Sequence, residues 1–70
     1  SVEVSTQEKQ VELADQNYTV VKNRYDNDLA LLTDMLDASN MKLSADMALV
    51  NARIDMLYYY FKLKYITNTL

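Results

Sequence analysis

The side chains able to do chemistry in this chain are few, and most are acidic. Asp34 and Asp37 stand three apart, on one face of a helix, and Asp26-Asn27-Asp28 form a short polar run. General acid–base cleavage of a glycosidic bond needs carboxylates on opposing sides of a cleft, which two neighbours on one face do not make. The Asp26–Asp28 run suggests a calcium loop, but the glycine and the distant glutamate of such a loop are missing. There is no His and no Cys, and no Ser stands beside a plausible base. Nucleophilic catalysis and the usual zinc sites therefore lack their groups. The sequence predicts no enzyme, no metal site and no cofactor.

The elements that carry these residues follow from what the composition omits. The chain has 70 residues and contains no Gly, Pro, Cys or Trp, where average usage would supply about 7% Gly and about 5% Pro. Tight turns, bulges and phosphate-cradling loops rely on Gly and Pro, so all-β, dinucleotide-binding and P-loop folds are excluded. A hydrophobic content of 50% is far too high for disorder. The expectation is all-α. A net charge of −3 offers no footprint for nucleic acid or anionic lipid. No apolar stretch reaches the roughly 20 residues of a transmembrane helix, and the chain opens on Ser1 rather than Met, as a processed or excised piece does.

Apolar residues fall into heptads on both sides of one break. Val4, Val11, Tyr18 and Tyr25 are seven apart, with Ala14 and Val21 in the complementary position and Gln7 as the polar exception. Beyond the break, Leu29, Leu36, Leu43, Val50 and Leu57 repeat the spacing, joined by Met47, Ile54 and Phe61. Both are coiled-coil seams. The break is Asp26-Asn27-Asp28, whose side chains tolerate a left-handed backbone and bond nearby amides. Lys22 and Arg24 precede it and Asp28 and Asp34 follow it, the charge order of a helix end and a helix start. The predicted fold is one antiparallel helical hairpin over residues 1–70, with a helix over about 3–26, a turn at 27–29 and a helix over about 30–67. Folding back there pairs Tyr25 with Leu32, Val21 with Leu36, Ala14 with Leu43, and Val4 with Ile54 or Arg53. A continuous helix is the alternative, since Asn and Asp weaken a helix without forbidding it.

The second helix carries a further stripe: Met35, Ala38, Ala45, Leu49, Ala52, Met56, Tyr59, Leu63 and Ile66, interrupted by Lys42. One partner needs one seam, so this second stripe is expected to pack against another hairpin through Met35, Ala38, Ala45, Leu49, Ala52, Met56 and Tyr59. The alternative is a single broad core face. The first helix ends opposite about residue 56, leaving Leu57–Ile66 beyond it, an apolar and aromatic overhang that calls for a partner. Self-association is the expectation. Asp34 and Asp37 would be a solvated tip in a monomer, whereas in a ring of copies they would focus negative potential at a pore mouth.

The string from Arg24 to Ala38 resembles the tip of the second periplasmic hairpin in TolC-type outer-membrane efflux proteins, roughly R-Y-x-x-G-x-x-x-x-x-D-V-L-D-A. Ala14-Asp15-Gln16-Asn17-Tyr18 is similar to that family's A-x-x-N-Y/L approach, Asn51-Ala52-Arg53-Ile54-Asp55-Met56-Leu57 to its N/Q-A-R-Y-D/N-Y-L segment, and Tyr65–Leu70 to its closing L-x-x-A-x-G-x-L. The resemblance implies a hairpin of the periplasmic tunnel of a trimeric outer-membrane channel in a Gram-negative bacterium. That channel is a passive conduit for multidrug efflux or type I secretion, docked to a membrane-fusion adaptor and an inner-membrane pump. By the same resemblance, Asp34 and Asp37 are entrance acids, Tyr25 belongs to the links that close the entrance, and Asn27-Asp28-Leu29 is the tip that meets the adaptor. A coiled-coil oligomerisation or adaptor hairpin with no channel is the alternative function. The sequence departs from the family where the tip Gly is Asp28, so Asn and Asp must make the turn. It departs again at Ala30, where the Arg of some members' closing latch would stand.

Overall fold

The computed structural model describes residues 1–69, with side chains through residue 68; Leu70, the end of the closing segment, lies outside the described residues. The expected all-α hairpin is the observed fold. Helix α1 spans Val2–Asp26 and helix α2 spans Leu32–Thr69, packed against each other in a rod of 64 × 16 × 10 Å. The long dimension is close to the about 57 Å that α2 requires at 1.5 Å per residue.

Both ends of α1 and the start of α2 are closed by local hydrogen bonds. Ser1 caps α1, its hydroxyl accepting from the Val4 N–H at 3.2 Å. At the other end, the Leu29 N–H donates to the Arg24 carbonyl at 2.7 Å and the Asp28 N–H to the Tyr25 carbonyl at 3.1 Å. This nested pair is a Schellman motif, in which the residue after the cap must be left-handed. Asp28 takes that conformation, with φ 61°. The Asn27 side chain donates to the Asn23 carbonyl at 2.7 Å, which also accepts from the Asn27 N–H at 3.2 Å.

The turn is longer than the sequence suggests, occupying 27–31 rather than 27–29. Leu31 is the cap of α2, since its carbonyl accepts the first helical bond, from the Met35 N–H. Asp34 sits three residues on, and its carboxylate accepts from the Leu31 N–H at 3.0 Å. This is the reciprocal half of a capping box. Leu31 cannot supply the other half. It is the reach of Asp34 that sets the helix start two residues later than expected.

The register of the hairpin is as the sequence predicts, but the face that α2 turns to α1 is not. Lys42 Nζ lies 3.6 Å from Asp15 Oδ1, and the Ser1 ammonium lies 4.0 Å from Met56 Sδ. These contacts lie in the expected register, along which Ala14 runs level with Leu43. Yet Leu43 is 58% exposed, and Leu36, Met47, Val50 and Ile54 are exposed with it. The buried residues of α2 are Ala38, at 1% exposure, and Ala52, at 3%, with Met35, Lys42, Ala45 and Leu49 half-buried on the same face. The α1 seam is the expected one: Val4 and Ala14 are buried, and Gln7, Val11, Tyr18 and Val21 half-buried.

The assignment of Met35, Ala38, Ala45, Leu49 and Ala52 to packing between hairpins is therefore corrected: they form the seam within the hairpin. Met56 lies beside Ser1 at its end. Of that set, Tyr59 stays clear of α1. The physical reason is size. Helix separation depends on the side chains at the contact, and Ala38 and Ala52 let the two backbones approach where a leucine would hold them apart. The bulky stripe is left on the outside.

Candidate functional site: the hairpin tip and the outer face of α2

Two surfaces collect the residues that could act on something else. The first is the tip. Leu29 is 76% exposed at its apex, with Leu31 and Leu32 exposed next to it. Asp26, Asp28, Asp34 and Asp37 are all exposed around these leucines, so the tip is an apolar knob with an acidic collar. The residues expected to meet an adaptor, Asn27, Asp28 and Leu29, form the loop itself. Tyr25 is in the last turn of α1 and 37% exposed.

The acids of the collar have different occupations. Asp26 accepts from Lys22 at 2.9 Å, one turn back along the exposed side of α1. That hydrogen bond, with the attraction of the same carboxylate, raises the Lys22 pKa above its ordinary value. Asp34 is held as the α2 cap. Asp37 is exposed further down α2 and borders a shallow groove with Arg24, Leu29, Asp34 and Met41. Asp34 and Asp37 thus share one side of the tip, as their spacing implies, and Asp34 carries a structural duty that its spacing did not disclose.

The second surface is the outer face of α2. Leu36, Leu43, Met47, Val50, Ile54, Leu57 and Phe61 are all more than half exposed and line one side of the helix. At 100° per residue this stripe lies roughly opposite the alanine seam. It continues into the overhang past Met56, where Tyr58, Tyr59 and Tyr60 are also exposed, and Tyr58 packs edge-on against Tyr59 as Tyr60 does against Phe61. Lys62 reaches back over the Tyr58 ring at 5.9 Å. Exposed apolar bands of this length are characteristic of interaction surfaces.

A third cluster was missed in the sequence. Lys42 looks like an interruption of the second stripe, but it lies across the hairpin seam, near Asp15 and 4.9 Å over the Tyr18 ring. Asp15 Oδ1 is enclosed there, accepts no hydrogen bond and faces the ammonium. Both side chains are about half exposed, so the pair adds little stability, and it joins residues that the register sets level. The signal was available, since Asp15 and Lys42 are level with each other in the register the turn dictates.

Among the described residues no helix is long and apolar enough to cross a membrane, and no three acidic side chains converge as metal ligands would. No family model, no curated protein and no solved structure matches the chain.

Proposed function

We propose that this chain is an assembly hairpin that forms part of the wall of a larger helical tube, and that the tube is the periplasmic tunnel of a TolC-type outer-membrane efflux or secretion channel. One observation carries the assembly reading: α2 is apolar on two opposite sides, and α1 covers only the alanine side. A stave in a closed wall needs a neighbour on each side, whereas a free two-helix hairpin needs one seam. The channel reading rests on the resemblance of the Arg24–Ala38 tip and its flanks.

In that reading the protein performs no chemistry. The tip leucines and Asn27-Asp28-Leu29 meet the adaptor, and the apolar stripe of α2 holds the wall together. Asp37, with Asp34 behind it, repeats around the axis and raises the local concentration of cations at the entrance. Asp28 adds a negative charge where the family has Gly, so the matching adaptor surface is basic.

The experiment is single-channel recording on the full protein that carries this hairpin. Neutralising the collar with Asp37→Asn, and then with Asp34→Asn added, is expected to weaken block by multivalent cations in two steps. Block that is unchanged in both variants would remove the entrance assignment. Absence of any channel in the reconstituted protein would leave the oligomerisation hairpin as the function, a reading favoured by the exposed heptad stripe of α2.

A further inference from the structure

The outer stripe of α2 has a counterpart on α1. Steps of four and three residues alternate along Leu36, Asn40, Leu43, Met47 and Val50, and the same steps run along Thr6, Gln10, Leu13, Asn17 and Val20. All of them are exposed. At 100° per residue the α1 set lies roughly 120° round its helix from the Val4–Ala14 seam, on the flank of the hairpin away from the outer stripe. We propose that the occupant of the outer stripe is this face of α1 in a second copy of the chain, joined head to tail with both tips pointing the same way. This rests on the reading of the outer stripe as a wall face, and adds to it the occupant, the direction and the register.

Layer matching is the first support. Within the hairpin Asp15 is level with Lys42 and Ser1 with Met56, so level residues have numbers that add to about 57. A neighbour whose tip stands at the same height keeps that rule. Its Val20 then faces Leu36, its Leu13 faces Leu43, and its Gln10 and Thr6 lie over Met47 and Val50. Asn40, the one polar member of the α2 set, meets Asn17, whose amide both donates and accepts. Val2 of the neighbour, 85% exposed, falls level with Ile54 at the base of the overhang, beside Leu57.

Polar groups then select this register from the adjacent ones. Lys9 and Asp46 immediately precede the layer of Gln10 and Met47, and both are exposed. Antiparallel helices bring like edges together, so Lys9 of one copy meets Asp46 of the next. Lys9 lies 3.6 Å from Glu12 of its own helix, and an ammonium has donors for both carboxylates. A slip of one heptad in one direction sets Lys9 against Arg53 and lays Asn17 on Met47. A slip in the other sets Lys9 against Ser39 and parts the two asparagines.

Direction follows from the same contact. It is heterologous, since each copy offers its α2 stripe to one neighbour and its α1 face to the other. The copies extend side by side as a wall, with their tips and acidic collars along one edge, as a shared entrance needs. Two copies joined α2 to α2 with tips level would instead be related by a two-fold along the rod, which turns their Asp37 sides to opposite faces of the wall.

Three measurements on the 70-residue chain test this. In an equimolar mixture of Leu13→Cys and Leu43→Cys chains under mild oxidation, the mixed disulfide is expected to predominate over both homodisulfides. Both side chains are exposed, so the hairpin keeps its helicity, which circular dichroism checks. In sedimentation the unmodified chain is expected to grow beyond a dimer as concentration rises, because every dimer still presents an open stripe. Lys9→Glu and Asp46→Lys are each expected to weaken association by roughly threefold per contact, since each sets like charges together. Mixing these two variants restores an opposite pair at every contact and recovers the affinity.

Predominant homodisulfides, or growth that stops at a dimer, would mean two-fold pairing and would overturn the proposal. Self-association with no 13–43 link and no response to charge reversal would also overturn it, while leaving the wall face standing with a different hairpin as its neighbour. A chain that sediments as a folded monomer at millimolar concentration would overturn both.

Discussion

At the scale of single residues, the tip is decided by Asp28 and Asp34. A left-handed backbone costs an ordinary L-residue about 1–2 kcal/mol, and Asp bears it better than most because its short side chain bonds locally. Asp28 holds φ 61° because the Schellman bonds at Arg24 and Tyr25 require it. Replacing it with Gly removes the steric cost while adding some unfolded-state entropy, so Asp28→Gly is expected to stabilise the hairpin by about 0.5–1 kcal/mol. Asp28→Val is expected to destabilise it by at least as much. Urea unfolding at one fixed protein concentration measures both, and a stabilising Val would show that the left-handed turn is not what closes α1. The sequence located this turn because, with no Gly or Pro, Asp and Asn were the only candidates. It did not reveal the later start of α2, because the bond from the Leu31 N–H to Asp34 is a side-chain choice that charge order alone cannot distinguish from a dipole preference.

At the scale of the elements, the lesson lies in the two stripes of α2. Periodicity placed both of them correctly, and the turn fixed which residues of α1 run level with which residues of α2. Neither says which stripe turns inward. Leu43 and Lys42 are one residue and 100° apart, so a rotation of α2 exchanges the seams while leaving the register nearly untouched. Bulk made the leucine stripe look like core, yet the close approach of the two backbones needs Ala38 and Ala52. The consequence inverts the usual expectation for core leucines. Ala38→Leu is expected to destabilise the hairpin by about 1–3 kcal/mol through overpacking. Leu43→Ala is expected to cost the hairpin fold less than about 0.5 kcal/mol, as for a surface site, against the 2–5 kcal/mol of a buried leucine. Both are to be measured on chains kept monomeric by Val50→Glu, so that association does not enter. A larger loss from Leu43→Ala than from Ala38→Leu would mean that α2 is rotated relative to the seam described above.

At the scale of the whole molecule, stability and assembly cannot be separated. Among the described residues only Val4, Ala14, Ala38 and Ala52 are buried, a small core for a chain of this length without disulfide or metal, and such chains usually rely on a partner. The dependence should be strongest in the overhang. An isolated helix of about a dozen residues is marginal in water, and α2 continues past Met56 with no α1 beside it. Helical residues there gain protection only from whatever covers Leu57, Phe61 and Leu63. Amide exchange over residues 58–63 is therefore expected to slow by tenfold or more as protein concentration rises through the association range, following the law of mass action. Amides over 40–50, which have α1 on one side at every concentration, should change less. Equal protection of both stretches in dilute solution would show that α2 holds its full length unaided. In that case the exposed aromatic cluster would be explained by packing along its own helix, and the case for a partner would rest on the Leu36–Ile54 part of the stripe alone.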